Sequence, residues 1–477
     1  MDKIKRIYKH YNIILIIVLF IIFLGSFNML LKNSDEAWTF STIYQMYKGY
    51  TIYKELNVIT TPLFYYIIKF VFEIFGANFF VYRFCNIVIN IIIYLTVYNI
   101  LKRTIRNKTS SFLCTLLTYN ICNSTLNAMS SYNTLAIMFY LIGILINLNE
   151  KIEKNCFLQG IIVFLVFMTK QNIGIYYIIG LTLITFFNCK TKEGEIIKYL
   201  KIIITFIIMF LIYCIYLLYN NNLYNFINYC FLGISEFKSN IIFDFRIIFY
   251  TLEICLSIFI TFFLRKIINK DIIKLEILSL PMCLISYPIF NNVHMKISII
   301  GIVIVLVSII EKMIIEELLN KSIIKKAIYI TTILLISFSL YNFIMWGKYV
   351  INKKYISKEL FGTIISSEDD IEKNIETITK YIENNNKRTI VLSPYSKLYT
   401  IILNYNNGIF DLPFIGNLGK EGEEGLIEKI SELKDVSILI EKNEKNLIYQ
   451  ESIKAREYVQ NNFENKGEIE QFYIYEK

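Results

Sequence analysis

The sequence is poor in the residues that interrupt or solubilise a chain. Among 477 residues there are only 5 Pro and 18 Gly, which excludes a collagen-like fibre and a Pro- or Gly-rich disordered chain. Charged residues make up 18% of the chain, whereas a soluble globular protein carries roughly 25%. The low charge and high apolar content together also exclude an acidic disordered protein.

Cysteine and histidine form no metal-binding pattern. All nine Cys precede residue 347, and their spacing contains neither a CxxC pair nor a zinc motif. We therefore interpret them as small apolar packing residues. The two histidines, His10 and His294, are far apart in the sequence, and there is no HExxH motif. The sequence thus predicts no metal site built from these residue types.

The chain is rich in long apolar runs. Hydrophobic residues make up 55% of it, and its mean hydropathy is +0.49. Runs of about 17–25 such residues are typical of membrane-spanning helices, so we predict a polytopic α-helical membrane protein with about eleven spans. The first run is followed by no cleavage site and is interpreted as a span, not a signal peptide. The predicted spans lie near 12–31, 79–101, 110–127, 132–148, 157–169, 172–188, 198–219, 246–264, 273–290, 297–311 and 326–346.

Charge divides the chain into two predicted domains. Residues 1–346 carry 31 Lys and Arg against 17 Asp and Glu, a net charge of +14. Residues 347–477 carry 18 against 22, a net charge of −4. The basic residues are scattered among apolar runs, which argues against nucleic-acid binding. We predict a transmembrane domain over 1–346, with a long first outer loop at 32–78, and a small C-terminal α/β domain over 347–477.

Basic loops predict the orientation in the membrane. The N-terminus and every second loop are rich in Lys and Arg, which favours the cytoplasmic side. The protein is therefore expected in the plasma membrane as a multi-pass protein, with a cytoplasmic N-terminus and an extracytoplasmic C-terminal domain. One kinked span over 157–188 is the alternative for the fifth and sixth spans, but it would break the alternation downstream.

The outer loops and the tail contain further predicted elements. In the first loop we predict helices over 37–48 and 63–75, the second starting at Pro62 and ending at Gly76. A third interfacial helix is predicted over about 223–237. In the tail, helical spacing and β-prone runs alternate, which favours a small sheet with covering helices. The predicted tail helices are 371–382, 397–403, 423–433 and 452–459, and the strands are 389–392, 436–440 and 469–475.

Several polar residues fall on the predicted outer side. Asp35 and Glu36 follow the first span, and such a pair serves as a general base, holds a metal, orients a hydroxyl or simply ends a helix. Lys170 interrupts two apolar runs and either binds a phosphate or is a snorkelling lysine. The same choice between a ligand contact and a plain structural role applies to the remaining outer residues, which are Arg83, Tyr132, Asn133, Gln171 and His294.

The order of these elements resembles a known family. The sequence reads Asp35-Glu36, Pro62-Leu-Phe-Tyr-Tyr66, Phe75-Gly76, Tyr82-Arg83 and Thr169-Lys-Gln-Asn-Ile-Gly174. This resembles the GT-C glycosyltransferases of the protein-mannosyltransferase and aminoarabinose-transferase type. The resemblance covers about residues 10–190 and continues more weakly to about 300, where Tyr287-Pro288 and His294 match a further element.

The resemblance implies an enzyme that moves a sugar from a polyprenyl-phosphate donor to an acceptor on the outer membrane face, with inversion. Asp35 would be the general base and Glu36 would orient the acceptor or a divalent cation, which is the only cofactor left open. Lys170 would neutralise the leaving phosphate, with Arg83 and His294 nearby. The expected partners are the lipid-linked donor, the bilayer and a glycan, lipid or protein acceptor.

Three positions depart from the family pattern. Thr60-Thr61-Pro62 stands where Lys-Pro-Pro is common, Tyr132-Asn133 where related enzymes carry an acid, and Ile289 where an arginine is common. Either the substrate differs from that of the family, or Arg83 and Arg246 compensate for the missing basic residues. The competing interpretations are a transporter or flippase for lipid-linked saccharides and a non-catalytic scaffold. A transporter needs a polar path, but few charges besides Glu253 and Glu276 lie within the predicted spans.

Overall fold

A computed structural model describes residues 11–24, 34–126, 132–149, 155–188, 192–233, 246–263, 268–286, 297–315, 371–393, 396, 399, 418–442 and 453–477. Contacts divide the chain into two units. The first unit comprises residues 1–28, 83–212 and 239–348, and the second comprises residues 29–82, 213–238 and 349–477. The tail after residue 348 therefore shares a unit with two segments from the predicted outer loops.

Helices account for most of the described chain. In chain order they are α1 (Tyr11–Leu24), α2 (Ser34–Tyr47), α3 (Leu63–Phe75), α4 (Phe79–Ile105), α5 (Lys108–Leu126), α6 (Tyr132–Asn147), α7 (Cys156–Thr169), α8 (Gln171–Asn188), α9 (Lys192–Tyr219), α10 (Leu223–Ile227), α11 (Arg246–Phe263), α12 (Lys270–Ser279), α13 (Ile300–Ile315), α14 (Ile371–Asn384), α15 (Gly422–Ser431) and α16 (Ile453–Asn462). The predicted spans between residues 79 and 219 coincide with α4 to α9, and the largest difference is at the start of α9, which begins at Lys192 instead of residue 198. The predicted span at 326–346 lies outside the described residues.

Two of the described helices are long and apolar enough by themselves to cross a membrane. They are Phe79–Ile105 and Gly194–Tyr219. In the most apolar stretch of the second, only 11% of the residues are buried, and Leu211, Ile212 and Ile215 are more than half exposed. Because a soluble protein rarely exposes so continuous an apolar surface, this helix is suited to contact with lipid. Shorter apolar helices lie at Asn12–Ile21, Tyr132–Asn147, Cys156–Thr169 and Gln171–Phe187.

One predicted span is irregular in the structure. α12 covers only Lys270–Ser279, and the chain continues as a 3₁₀-helix from Leu280 to Ser286. Pro281 lies at the change, and proline removes a backbone N–H from the α-helical hydrogen-bond ladder. The predicted continuous helix over 273–290 is therefore wrong, because the α-helix ends at Ser279 and a 3₁₀-helix follows it to Ser286. Residues 287–290 lie outside the described residues.

The chain reverses direction at Lys170. α7 ends at Thr169 and α8 begins at Gln171, with Lys170 in an extended conformation (φ −156°, ψ 115°). A Cβ atom added at Gly174 would lie 2.4 Å from the Cα atom of Phe167. In a continuous helix these two residues would be separated by about 10 Å along the axis. The structure therefore has two helices packed side by side, and the alternative of one kinked span is wrong.

The close packing of these helices yields a stability prediction. Gly174→Ala places a methyl group against the Phe167 backbone, so the two helices must move apart, and we expect a loss of about 1–3 kcal/mol. Gly194→Ala is the matched control, because nothing lies within 4 Å of a Cβ atom at Gly194. Thermal unfolding of the purified protein in detergent should show a lower Tm for Gly174→Ala only. Equal Tm values for both variants would contradict the close approach.

The second unit holds two helices of the first predicted outer loop. α2 and α3 pack together through Phe40, whose ring lies 3.8 Å from that of Phe79 and 5.7 Å from that of Phe72, centroid to centroid. α3 ends at Gly76, where φ is +86°, a conformation that glycine adopts without steric cost. Pro62 precedes the helix as its N-cap residue instead of forming its first turn.

The second predicted outer loop is only partly helical. α10 spans Leu223–Ile227 and continues as a π-helical turn, Asn228–Leu232, which is followed by Gly233. The predicted helix over 223–237 is confirmed over 223–232, with its second half π-helical instead of α-helical, and residues 234–237 lie outside the described residues. The π-turn changes the direction of the following side chains, and such turns are frequent at functional positions. It places Cys230 near the carbonyl oxygen of Thr60, with an S···O distance of 3.4 Å.

The described tail contains a four-stranded mixed sheet in the order β1-β2-β4-β3. The strands are β1 (Arg388–Leu392), β2 (Val436–Glu441), β3 (Glu464–Ile469) and β4 (Phe472–Glu476). β1 and β2 are parallel, and both β2–β4 and β3–β4 are antiparallel. Its core is built by alternating strand residues and the apolar faces of α15 and α16, including Ile390, Ile438, Leu426, Ile430 and Val459.

The predicted strand at 469–475 is confirmed over 472–475 as part of β4, but its predicted start is wrong. The chain forms a hairpin there, because β3 ends at Ile469 and β4 starts at Phe472. Glu470 has a φ of +50° and forms the turn with Gln471. Nothing in the sequence marks this turn, since it contains neither Gly, Pro nor Asn. The predicted helix at 397–403 lies almost wholly outside the described residues.

The tail contacts the second outer loop through Asn228. The Lys420 backbone N–H donates to Asn228 Oδ1 at 2.8 Å, and Asn228 Nδ2 donates to Glu421 Oε2 at 3.4 Å. Gly419 has a φ of +77°, and a Cβ atom added there would lie 2.7 Å from Asn228 Nδ2. A glycine is therefore needed at this position for both conformation and space.

Removal of this amide should loosen the tail. Asn228→Ala leaves the Lys420 N–H without its acceptor, which costs about 1–2 kcal/mol. We expect faster hydrogen exchange across residues 418–431, measured by mass spectrometry on the full chain. Asn225→Ala is the matched control, because Asn225 lies in the same segment and its side-chain amide donates to Asn222 Oδ1. Unchanged exchange in Asn228→Ala would show that the contact does not hold the tail.

Candidate active site

Lys170 forms a cluster with the start of α6. Lys170 Nζ donates to Asn133 Oδ1 at 2.6 Å, and it lies 5.2 Å from the centre of the Tyr132 ring. Asn133 is 5% exposed, whereas Lys170 and Tyr132 are half-buried. The structure thus brings together three residues that the sequence singled out from two separate predicted loops. The aromatic face and the amide oxygen are both groups that attract a lysine ammonium.

The same lysine stands directly before a helix N-terminus. α8 begins at Gln171, which is 7% exposed, and the Gly174 N–H donates to the Lys170 carbonyl oxygen at 3.1 Å. The positive end of the helix dipole therefore begins next to the residue that carries the ammonium group. Helix N-termini and lysine side chains are the common protein ligands of phosphate. This arrangement is chemically suited to an anion of the phosphate type.

Arg83 lies near the beginning of α4. The helix is capped by Asn78, whose side-chain oxygen accepts from the Val81 N–H at 2.8 Å. Arg83 is only 5% exposed. A guanidinium group stays charged when buried, so its neighbours must compensate the loss of hydration. Its place in the second turn of α4 is consistent with two roles: the charged side chain either stabilises the fold or binds an anionic ligand.

Asp35 and Glu36 both lie in the first turn of α2, which starts at Ser34. Glu36 is 6% exposed. The packing of Phe40 against Phe72 and Phe79 fixes the helix that carries both acids. These two residues belong to the second unit, whereas Lys170 and Arg83 belong to the first.

His294 and the Tyr287-Pro288 pair lie outside the described residues. Within the part of the chain that the structure describes, no group of three or more His, Cys, Asp or Glu side chains is placed to bind a metal ion.

The first departure from the family pattern has a structural counterpart. At the position of the common Lys-Pro-Pro element, the Thr60 carbonyl oxygen accepts from the Tyr53 hydroxyl at 2.8 Å, and Thr60 Oγ1 lies 3.2 Å from the Tyr65 hydroxyl. Burial raises the pKa of Tyr53 well above its usual range, and it raises the pKa of Tyr66 to about 12. A neutral tyrosine cluster, formed by the buried Tyr53 and Tyr65 and the half-buried Tyr66, thus occupies this segment, and the sequence interpretation missed it. The repeated tyrosines at 50, 53, 65 and 66 were the available signal.

Comparisons with known proteins agree with this architecture. The profile of the family described as "Dolichyl-phosphate-mannose-protein mannosyltransferase" matches residues 60–216. That segment contains Arg83, Tyr132, Asn133, Lys170 and Gln171. No curated protein sequence matches the chain significantly.

Two solved structures share the fold over nearly the whole chain. The crystal structure of ArnT from Cupriavidus metallidurans bound to undecaprenyl phosphate is 10% identical, with a TM-score of 0.59 over 96% of each chain. The apo structure of ArnT from the same organism is 9% identical, with a TM-score of 0.58 over 97% of each chain. The match over residues 60–216 confirms the resemblance to the protein-mannosyltransferase type, and the two structures show that the chain has the ArnT fold.

Proposed function

We propose that this chain is a GT-C glycosyltransferase that moves a sugar from a polyprenyl-phosphate donor to an acceptor at the outer membrane face, with inversion at the anomeric carbon. The observation that carries the proposal is the Lys170–Asn133–Tyr132 cluster before the N-terminus of α8, inside the segment that matches the mannosyltransferase family. This cluster offers a fixed positive charge to a phosphate group.

In the proposed reaction, Asp35 takes the proton from the acceptor hydroxyl. The hydroxyl oxygen then forms a bond to the anomeric carbon, and the bond between that carbon and the phosphate oxygen breaks. The phosphate leaves with the bonding electrons as polyprenyl phosphate. Glu36 orients the acceptor, and Lys170 stabilises the charge that develops on the leaving phosphate.

The remaining residues are assigned to binding. Asn133 and Tyr132 hold the Lys170 ammonium in place through the hydrogen bond and the ring contact. Gln171 binds the donor at the start of α8, and Arg83 and His294 contribute further contacts to its phosphate. Whether the two acids also use a divalent cation is decided by assaying the purified enzyme with and without a chelator.

A lipid-linked donor explains why the catalytic chain is a membrane protein. ArnT, which shares the fold, was crystallised with undecaprenyl phosphate. A donor of this class has an apolar polyprenyl chain and a sugar-phosphate headgroup at the membrane surface. A lipid-facing helix such as α9 suits the apolar chain, and a charged cluster at the end of apolar helices suits the headgroup. We propose a glycan, lipid or protein of the cell envelope as the acceptor.

The cellular experiment compares lipid-linked sugars and surface glycans, by mass spectrometry, in cells with and without this protein. Loss of the protein should cause one polyprenyl-phosphate sugar to accumulate and the same sugar to disappear from an envelope component. If neither pool changes, the proposed transfer is wrong. Accumulation of the donor on the cytoplasmic side alone would favour the flippase alternative.

The proposed orientation gives a separate prediction. The tail contains no cysteine, so Lys434→Cys introduces a single exposed thiol into it. An impermeant maleimide added to intact cells should label this thiol, because the tail is proposed to lie outside. Lys108→Cys, in a loop that is proposed to be cytoplasmic, should be labelled only after the cells are opened. The reverse pattern would invert the proposed topology.

A further inference from the structure

A pocket lies at the end of α4 and α6 that is remote from the proposed active site. Its volume is about 310 Å³, within the usual range for small-ligand sites. Its polar lining comes from Asn99, Lys102 and Arg103 of α4 and from Asn149, just after α6. Asn99, Lys102 and Arg103 have the spacing i, i+3 and i+4, which places them on one face of the helix.

The position of the pocket matches a membrane surface. Lys102 is the nineteenth residue after Arg83 along α4, which corresponds to a rise of about 29 Å. This is close to the thickness of the hydrocarbon core of a bilayer, about 30 Å. The pocket therefore lies near one membrane surface and Arg83 near the other. α6 repeats the pattern, with Tyr132 and Asn133 at its start and the pocket at its end.

The pocket carries a net positive charge. Within the described residues, neither Lys102 nor Arg103 forms an ion pair with a carboxylate, and Arg103 Nη1 donates to the Leu148 carbonyl oxygen at 3.3 Å. Lys102 is exposed and Arg103 is half-buried. The segment that follows, 150–154, contains two Lys and two Glu and adds no net charge. The two cations are thus available to an external anion.

The other wall of the pocket is apolar. Ile142 and Leu145 of α6 line it beside the two cations. A free inorganic anion gains nothing from such a wall, whereas a lipid places its phosphate at the charges and its glycerol and first methylene groups against the isoleucine and leucine side chains. Basic pockets between membrane helices commonly bind anionic lipid headgroups.

We propose that this pocket binds the phosphate headgroup of an anionic membrane lipid, in the leaflet opposite to the proposed site of sugar transfer. The lipid would stabilise the folded membrane unit, because a ligand that binds only the folded state raises its stability. Each of the two cations is expected to contribute about fivefold to the affinity for the lipid.

The test uses the purified full-length protein, stripped of lipid in a non-ionic detergent, and native mass spectrometry. Phosphatidylglycerol is added in one arm, phosphatidylcholine in a second and inorganic phosphate in a third. The wild type should retain phosphatidylglycerol in preference to phosphatidylcholine. Lys102→Gln should weaken its binding about fivefold, and the additional change Arg103→Gln should weaken it further. Lys102→Gln is expected to fold like the wild type, because the Lys102 side chain forms no hydrogen bond within the described residues.

The matched control is Arg106→Gln with Lys108→Gln. It removes the same charge at the same end of the membrane helices but outside the pocket. The control should bind phosphatidylglycerol like the wild type. An equal loss in the control, or undiminished binding in Lys102→Gln, would overturn the proposed site. Displacement of the lipid by millimolar inorganic phosphate would overturn its assignment to a lipid. Because binding is measured without substrate, the result does not depend on the proposed transferase activity.

Discussion

Asp35→Asn is expected to lower the rate of sugar transfer by about 10²–10⁴-fold, the usual contribution of a positioned general base. Asparagine has nearly the same shape as aspartate but cannot take the proton of the acceptor hydroxyl. The donor should still bind, so the loss should fall on kcat and leave the affinity for the polyprenyl-phosphate sugar nearly unchanged. The measurement is the rate of sugar transfer at saturating donor by the purified variant.

The control for this change is Glu73→Gln in α3. Glu73 is a half-exposed carboxylate of the same predicted loop, and it forms a surface ion pair with Lys69 at 2.6 Å. Such pairs contribute little, so activity should stay within about twofold of the wild type. Asp35→Asn with full activity, in a protein that unfolds at the wild-type temperature, would remove Asp35 from the mechanism.

Lys170→Gln should have the second-largest effect. It removes the positive charge proposed to stabilise the leaving phosphate, and loss of one such contact in an active site costs about 10²–10³-fold in rate. Since the ground-state donor also carries a negative phosphate, its binding should weaken as well. Both effects are separated by measuring kcat and the donor affinity independently. An unchanged donor affinity and an unchanged kcat would leave Lys170 a structural lysine.

Two further variants distinguish charge from position. Lys170→Arg keeps the charge but changes the geometry at Asn133 and should recover only part of the activity. Asn133→Ala keeps Lys170 but removes the oxygen that holds Nζ, and we expect a loss of about tenfold. The double variant Lys170→Gln/Asn133→Ala should be no worse than Lys170→Gln alone, because the asparagine acts through the lysine. Full additivity of the two losses would contradict this dependence.

The apolar pattern predicted the helices well where length and periodicity were strong. α4 to α8 begin within two residues of their predicted starts because each is a long apolar run flanked by charged or amide side chains. The reversal at Lys170 was left open by the sequence, since a run of polar residues inside apolar sequence fits both a kink and a hairpin. It is the contact of Gly174 with the Phe167 backbone that decides between them.

Elements that depend on non-local contacts were not predictable in this way. The turn at Glu470 has no turn-forming residue, and it is imposed by the pairing of β3 with β4. The π-turn at Asn228 has no marker in the local sequence, yet Asn228 contacts Lys420, almost 200 residues later. The tyrosine cluster around Thr60 likewise depends on side chains brought together by folding.

The candidate site shows the same division. The position of Lys170 between apolar runs already marks it as unusual in the sequence. Its contact with Asn133 depends on the packing of α7 and α8 beside α6, which the sequence does not show. The roles of Asp35 and Glu36 rest on the family resemblance, which supplies an order of residues and no geometry. Mutations of the acids and of the lysine therefore test different parts of the proposal.

Transfer by the purified chain in reconstituted vesicles tests the central claim most directly. The vesicles contain a set of synthetic polyprenyl-phosphate sugars and an extract of envelope acceptors, and the release of free polyprenyl phosphate is measured together with sugar on the acceptor. The wild type should release one polyprenyl phosphate for each sugar transferred, and Asp35→Asn should release almost none. Intact donors in every case, or donors that cross the bilayer without cleavage of the sugar–phosphate bond, would contradict a glycosyltransferase.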